Sequence, residues 1–189
     1  MTVSSRERFL REVKELHRLW TLSTNDLTVE QMNYRERDGV LPIAFTLLHY
    51  VRGEDRLICQ AVLDEPTLWE AGNWQERIGG NPLDIRRGDK VEEAQTASIG
   101  NAATWNDYQH TVFTHTESIL ASLPDADFEA EKYPGVPANY QASFVGRVVQ
   151  DGEGVPLSVL LHSVIFQHGI RHLGELDHAR ALIGLKGVS

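Results

Sequence analysis

Two histidines four residues apart, in the run His168-Gly-Ile-Arg-His172-Leu-Gly-Glu175, are the residues of this chain best placed to do chemistry. On a helix that spacing stacks two imidazoles on adjacent turns of one face, the way a single helix offers two nitrogen ligands to one metal ion. The glutamate that directly follows the first histidine in zinc proteases is missing, so that reaction is not implied. At about 100° per residue, Leu157, Leu161, Val164, Ile165, Leu176, Ala179, Leu182 and Ile183 share one apolar stripe. His168, His172 and Glu175 fall in the middle of it, with Ser158 at its edge. Polar groups on a core-facing stripe need partners. Metal ligation is one answer, and a pair of hydrogen-bonded core histidines is the other. Glu175 reads as an acceptor that orients a ring, or as the partner of a buried arginine, ahead of a direct ligand.

The remaining motifs are thin. There is no Gly-x-Ser-x-Gly, no glycine-rich phosphate loop and no pair of cysteines for a metal cluster. Cys59, the single cysteine, cannot form an internal disulfide and reads as a packed thiol. Of the eight histidines, His110 and His115 lie about 140° apart on a helix and are poorly set to share an ion. His162 and His178 point off the apolar stripe, and His17 is expected at the surface, at the edge of its helix's apolar face.

The chain is 189 residues long and 41% hydrophobic, enough for one domain over residues 1–189 with a real core. Its net charge of −9 argues against a general nucleic-acid or anionic-membrane binder. No apolar run is long enough to span a bilayer, and the first residues lack the apolar region of a signal peptide, so a cytoplasmic location is expected. Four amphipathic helices are predicted. The first runs from about Ser5 to Leu22 behind a capping-box Ser4/Glu7 pair, and the second from Pro42 to about Leu63. The third runs from Ala97 to Leu123, and the last opens after Pro156 and is closed by Gly184. A short helical turn is expected at Val29–Met32, and a short helix at Leu68–Ile78. Ser143–Val149 reads as a short strand or as a loop that touches substrate. The connections over 64–95 and 125–156 are long, which predicts an all-α four-helix bundle with at least one crossover. On the second helix, His49 shares a polar stripe with Phe45, Arg52, Gly53, Arg56 and Gln60. Periodicity alone does not separate a solvent-facing stripe from one that lines a cavity.

The run Leu47-Leu-His49-Tyr-Val-Arg-Gly-Glu54-Asp55-Arg-Leu resembles the DinB/YfiT-like superfamily when taken with the distant His168-x-x-x-His172-Leu-Gly174-Glu175-Leu, Arg180 and Gly184. The resemblance extends over most of the chain. It implies a four-helix bundle and a divalent metal held by one histidine of the second helix and two of the fourth, here His49, His168 and His172. It places the His49 stripe against a cavity. Zinc or nickel is the first expectation for the metal, then iron or manganese. The resemblance also implies a homodimer acting on a small molecule, as an S-transferase using a low-molecular-weight thiol such as mycothiol or bacillithiol, or as a hydrolase. The alternative is a non-catalytic metal-binding or stress-response bundle protein. In the catalytic reading Glu175 supports a histidine or relays a proton, and Arg52 and Arg56 could hold carboxylates of the thiol or substrate. Solvated surface charge is the other reading of both arginines.

Overall fold

The computed structural model describes residues 2–83 and 90–188 and is mostly helical. Gly88 and its neighbours in the first long connection lie outside the described residues. Four long helices carry the architecture. The first, Ser5–Thr24, starts where the Ser4 side chain accepts from the Glu7 amide. It buries Phe9, Val13, Leu16 and Trp20. The second, Ile43–Arg56, follows directly on Pro42 and continues as a π-helical segment, Leu57–Leu63, until Asp64 takes a left-handed conformation. The third is Ala102–Ser122, capped by Asn101. It begins five residues later than the periodicity suggests, because Ser98–Ile99 instead pairs antiparallel with Gly80–Asn81. The last comprises Leu157–Leu161, a π-helical segment His162–Gln167, and His168–Leu182.

The first helix packs against the third and the last, and the second packs against those same two, so each long helix has two long neighbours. Around Trp20, Tyr50, Trp105 and Tyr108 lies one apolar cluster; a second gathers Phe9, Leu57, Leu120, Phe128 and Leu161 toward the other end. Short elements tie the long connections down. Thr28 and Gln31 form a capping box for Val29–Met32. The buried Asp55 carboxylate accepts the amides of Leu68 and Trp69, each at 2.9 Å, and the Tyr108 hydroxyl at 2.9 Å. It thereby anchors the start of the first excursion to the second helix, with Trp69 and Trp74 packed into the core. That excursion forms two short helices, Leu68–Ala71 and Trp74–Ile78, where one was expected. In the second excursion Glu131–Tyr133 pairs with Val155–Pro156. Val145–Val148 is a single helical turn, which corrects the strand reading of that stretch. No helix among the described residues is long and apolar enough to cross a membrane.

The last helix departs from simple periodicity in one way that sets up the site. At about 100° per residue His168 would sit within about 20° of Leu161, in the middle of the buried stripe. The wide π-helical turns at His162–Gln167 add about one residue to the winding, so Gly169 takes that angle instead. The buried line then runs through Gly169, Leu173, Leu176 and Arg180, and His168, His172 and Glu175 move to its edge. Leu182, expected in the core, is exposed for the same reason. At Gly169 the last helix approaches its neighbours closely. A Cβ there would lie 2.7 Å from both Leu16 Cδ2 and the Tyr50 hydroxyl, and its carbonyl accepts from the Trp20 indole N–H at 3.2 Å.

Candidate metal centre

His49 projects from the second helix toward His168 and His172, with its ring stacked on Phe45 one turn earlier at a 5.3 Å centroid distance. The three imidazoles stand nearly edge-on to one another, at interplanar angles of 83°, 82° and 77°. Their Nε2 atoms meet. His168 Nε2 is 3.2 Å from His49 Nε2 and 2.9 Å from His172 Nε2. Nitrogens that share a tetrahedral zinc at about 2.0–2.1 Å are about 3.3 Å apart, close to this spacing. Among the described residues these three form the one group of histidine, cysteine or acidic side chains whose ligand atoms converge, all lying within 4.8 Å of one another.

The outer nitrogens settle which tautomer faces inward. His172 Nδ1 is 2.6 Å from Glu175 Oε2, and a carboxylate only accepts, so this nitrogen carries the hydrogen. The His168 ring is hydrogen-bonded to the Val164 backbone one turn earlier, and the carbonyl there likewise requires a ring N–H. Burial, then the neighbouring His172 and His49, push the His168 imidazole down to about 3, so it stays neutral. Its Nε2 therefore presents a lone pair to the other two rings. A hydrogen between any one pair of rings would satisfy two nitrogens. A cation at the meeting point satisfies all three, and the donor set suits a borderline-soft divalent metal. The hydrogen bond from His172, ahead of burial, holds the Glu175 carboxyl below its ordinary value, and this keeps it an acceptor. Glu175→Ala is expected to weaken cation binding about 10–100-fold, the usual cost of removing an outer partner of a ligand histidine. Competition against a chromogenic chelator measures it, and unchanged affinity would show that Glu175 does not orient the ring.

In front of His49 and His168 opens a cavity of about 820 Å³. One wall is the second helix from Gly53 to Ala61, and the facing wall is the second long connection, from Tyr133 to Ala142. Arg56 lines it. Arg52 does not: its guanidinium lies 4.1 Å over the Trp69 ring and donates to the Pro82 carbonyl at 2.9 Å. The angular difference explains the split, since Arg56 lies about 20° from His49 around the helix and Arg52 about 60°.

No family model and no curated protein matches the chain. A solved structure, that of a conserved protein from Enterococcus faecalis, is similar to it with a TM-score of 0.74. The match covers 97% of this chain and 99% of that one at 18% sequence identity, a likeness of fold alone.

The sequence reading missed a second polar centre behind the first. His17 is buried, not at the surface. Its Nε2 lies 3.0 Å from Glu54 Oε1 as an ion pair without an aligned hydrogen bond, and its Nδ1 is 2.9 Å from Glu117 Oε1. The ring stacks on Phe113 at 3.9 Å, and Glu54 Oε2 accepts from Tyr50 at 2.8 Å. The signal was present. Glu54 falls on the apolar stripe of Leu47, Val51 and Ile58, and His17 on that of Val13 and Trp20. None of the other four histidines joins the converging group, and His110 lines a surface pocket beside His17 and Glu117. His115 Nδ1 is 4.0 Å from Cys59 Sγ, and His162 Nε2 is 3.8 Å from a Glu12 oxygen.

Proposed function

We propose that the protein is a metal-dependent enzyme of the DinB/YfiT-like four-helix-bundle type, in which His49, His168 and His172 hold a divalent cation. Its reaction joins a low-molecular-weight thiol to a small electrophile. The observation that carries this reading is the meeting of three imidazole Nε2 atoms beside an 820 Å³ cavity. His49, His168 and His172 would hold such a cation, and it would supply a Lewis acid that favours the deprotonated form of a thiol or water.

The chain's own residues account for the rest. Val164 and Glu175 fix two of the rings by their outer nitrogens. Phe45 holds the third by stacking on its face. Leu57, Ala61 and Val164 line the cavity and exclude water from the body of a bound molecule. In the transfer, the thiol gives up its proton to solvent and its sulfur attacks the electrophilic carbon. The acceptor's leaving group then departs with the bonding pair.

Untagged protein purified from cells should carry one equivalent of a transition metal per chain by elemental analysis. Glutathione, mycothiol and bacillithiol, each offered with an aryl halide acceptor, should then be consumed faster than by metal-stripped protein. Absence of stoichiometric metal would overturn the site. A fully loaded protein that turns over ester or amide substrates and no thiol would be a hydrolase. One that turns over neither would be a binding protein.

A further inference from the structure

A glycine inside a helix weakens it relative to alanine, so it stands there for conformation, for packing or for space. Gly53 lies inside the second long helix, Ile43–Arg56 with its π-helical extension to Leu63. Its φ is not positive, so conformation does not ask for glycine. Packing does not ask for it either. A Cβ built at Gly53 meets no atom of the described residues within 4 Å, whereas one at Gly169 would lie 2.7 Å from Leu16 and Tyr50. Gly174 shares the open surroundings but is exposed at the surface, while Gly53 is half-buried and borders the cavity of about 820 Å³. Space is the reason that remains. Gly53 follows His49 by four residues, about 6 Å along the axis and about 40° in angle, and Leu57 comes one turn later. The missing side chain thus leaves bare helix backbone on the cavity wall, one turn from the histidines. The facing wall, from the second long connection, includes Tyr133, Pro137 and Tyr140.

We propose that Gly53 is the residue that sets which ligands this cavity admits, and that it admits a molecule with a flat aromatic body. That body lies against the bare backbone at Gly53 and faces Tyr133 and Tyr140, with its reacting group at the histidines. The position of the reacting group rests on the metal reading above, whereas the role of Gly53 stands without it. A cavity of this volume is in the range that encloses most of a ligand of several rings. An aromatic ring can approach a glycine backbone on one side and stack on, or stand edge-on to, a tyrosine ring on the other. A side chain at position 53 would project into the same space, because nothing in the protein occupies it. The second long connection thereby acquires a role, since it supplies the aromatic wall that the helices alone do not.

The test sets a flat ligand against its puckered counterpart. 2-Naphthalenemethanol and the saturated decahydro compound are titrated into metal-free protein, with the backbone amides of residues 133–142 followed by NMR. The wild-type protein should bind the aromatic compound about 2–10-fold more tightly, the scale of one aromatic contact. Gly53→Leu should weaken its binding at least about 10-fold, the scale of overfilling a packed site. Gly53→Ala should raise the Tm of metal-free protein by about 2–4 °C and still weaken the aromatic ligand. A firmer fold with poorer binding is the opposite of what a structural glycine gives. Equal binding of the two compounds by the wild type, an aromatic affinity that survives Gly53→Leu, or a lower Tm in Gly53→Ala would each overturn the proposal. The wild-type comparison needs no variant to fold. Cobalt-loaded protein is then offered 2-mercaptoethanol and 2-naphthalenemethanethiol, and the sulfur-to-cobalt absorption band is read. Both thiols should give the band in the wild type, and only the small one in Gly53→Leu. Aromatic binding that depends on Gly53 in metal-free protein, with no sulfur band from either thiol, supports the role of Gly53 and counts against the metal reading alone. Equal bands from both thiols in Gly53→Leu support the metal reading and overturn the role of Gly53.

Discussion

Replacing His168 by alanine is expected to lower the affinity for a divalent cation by more than about 100-fold, beyond the about 10–100-fold cost of losing an outer partner. His168 is the central member of the group, since its Nε2 is within 3.2 Å of the other two. Its removal leaves one imidazole on each of two helices, too few to hold a transition metal against water. Thermal denaturation with and without added zinc separates this from a folding defect. At a free metal concentration 100 times its Kd, the wild-type protein should gain about 2.7 kcal/mol, or about 5–10 °C in Tm for a chain of this size. The His168→Ala variant should show no such shift and should melt, without metal, close to the metal-free wild type. That similarity follows from the arrangement itself. In the absence of a cation, the neutral His168 sets a lone pair against neighbouring rings, so its loss costs little. A variant that keeps the full metal-dependent shift would remove His168 from the site.

His17→Gln is expected to cost about 3–5 kcal/mol of folding stability, the usual consequence of stripping a buried charge of its partner. Glu54 has no solvent exposure and His17 only 3%, so neither can recover by hydration. Burial pushes the His17 imidazole down, but the Glu54 and Glu117 carboxylates outweigh it and lift it to about 9. A histidine raised in the folded state adds stability that is complete below its unfolded value near 6.5, and that stability is lost as pH rises through about 9. A shift of this size corresponds to about 3 kcal/mol. The interaction with His17 also lowers Glu54 against the opposing effect of burial, so its contribution fades at the acid end, as pH falls through its folded value. Urea denaturation at pH 6, 8 and 10 reads the prediction as the difference between wild type and His17→Gln, which should narrow as pH rises. The paired replacement His17→Leu with Glu54→Leu should recover much of the loss, since it leaves no buried charge unpaired. A difference below about 1 kcal/mol at pH 6, or one that does not change with pH, would show that the pair does not hold the first and second helices together.

Much of this protein is legible in one dimension because helix starts and apolar repeats are local. Ser4 and Glu7, Pro42 and Gly184 mark element ends by satisfying or breaking backbone hydrogen bonds within a few residues, and the elements begin or end there. The four-residue spacing of His168 and His172 likewise guarantees two imidazoles on one face of any helix. What lies opposite that face is not local. His49 sits on a polar stripe whose neighbour could have been water, and packing against the last helix made it a wall of the site. His17 and Glu54 each interrupt an apolar stripe, yet only the contact between helices makes them partners. The angle of His168 depended on the wide turns at His162–Gln167, and a uniform 100° count cannot register an added residue of winding. The sequence by itself determined the four long helices and the presence of a histidine pair. Tertiary structure decided which nitrogens meet, because that depends on the phase of one helix against another, and periodicity records only the angle of each residue about its own axis.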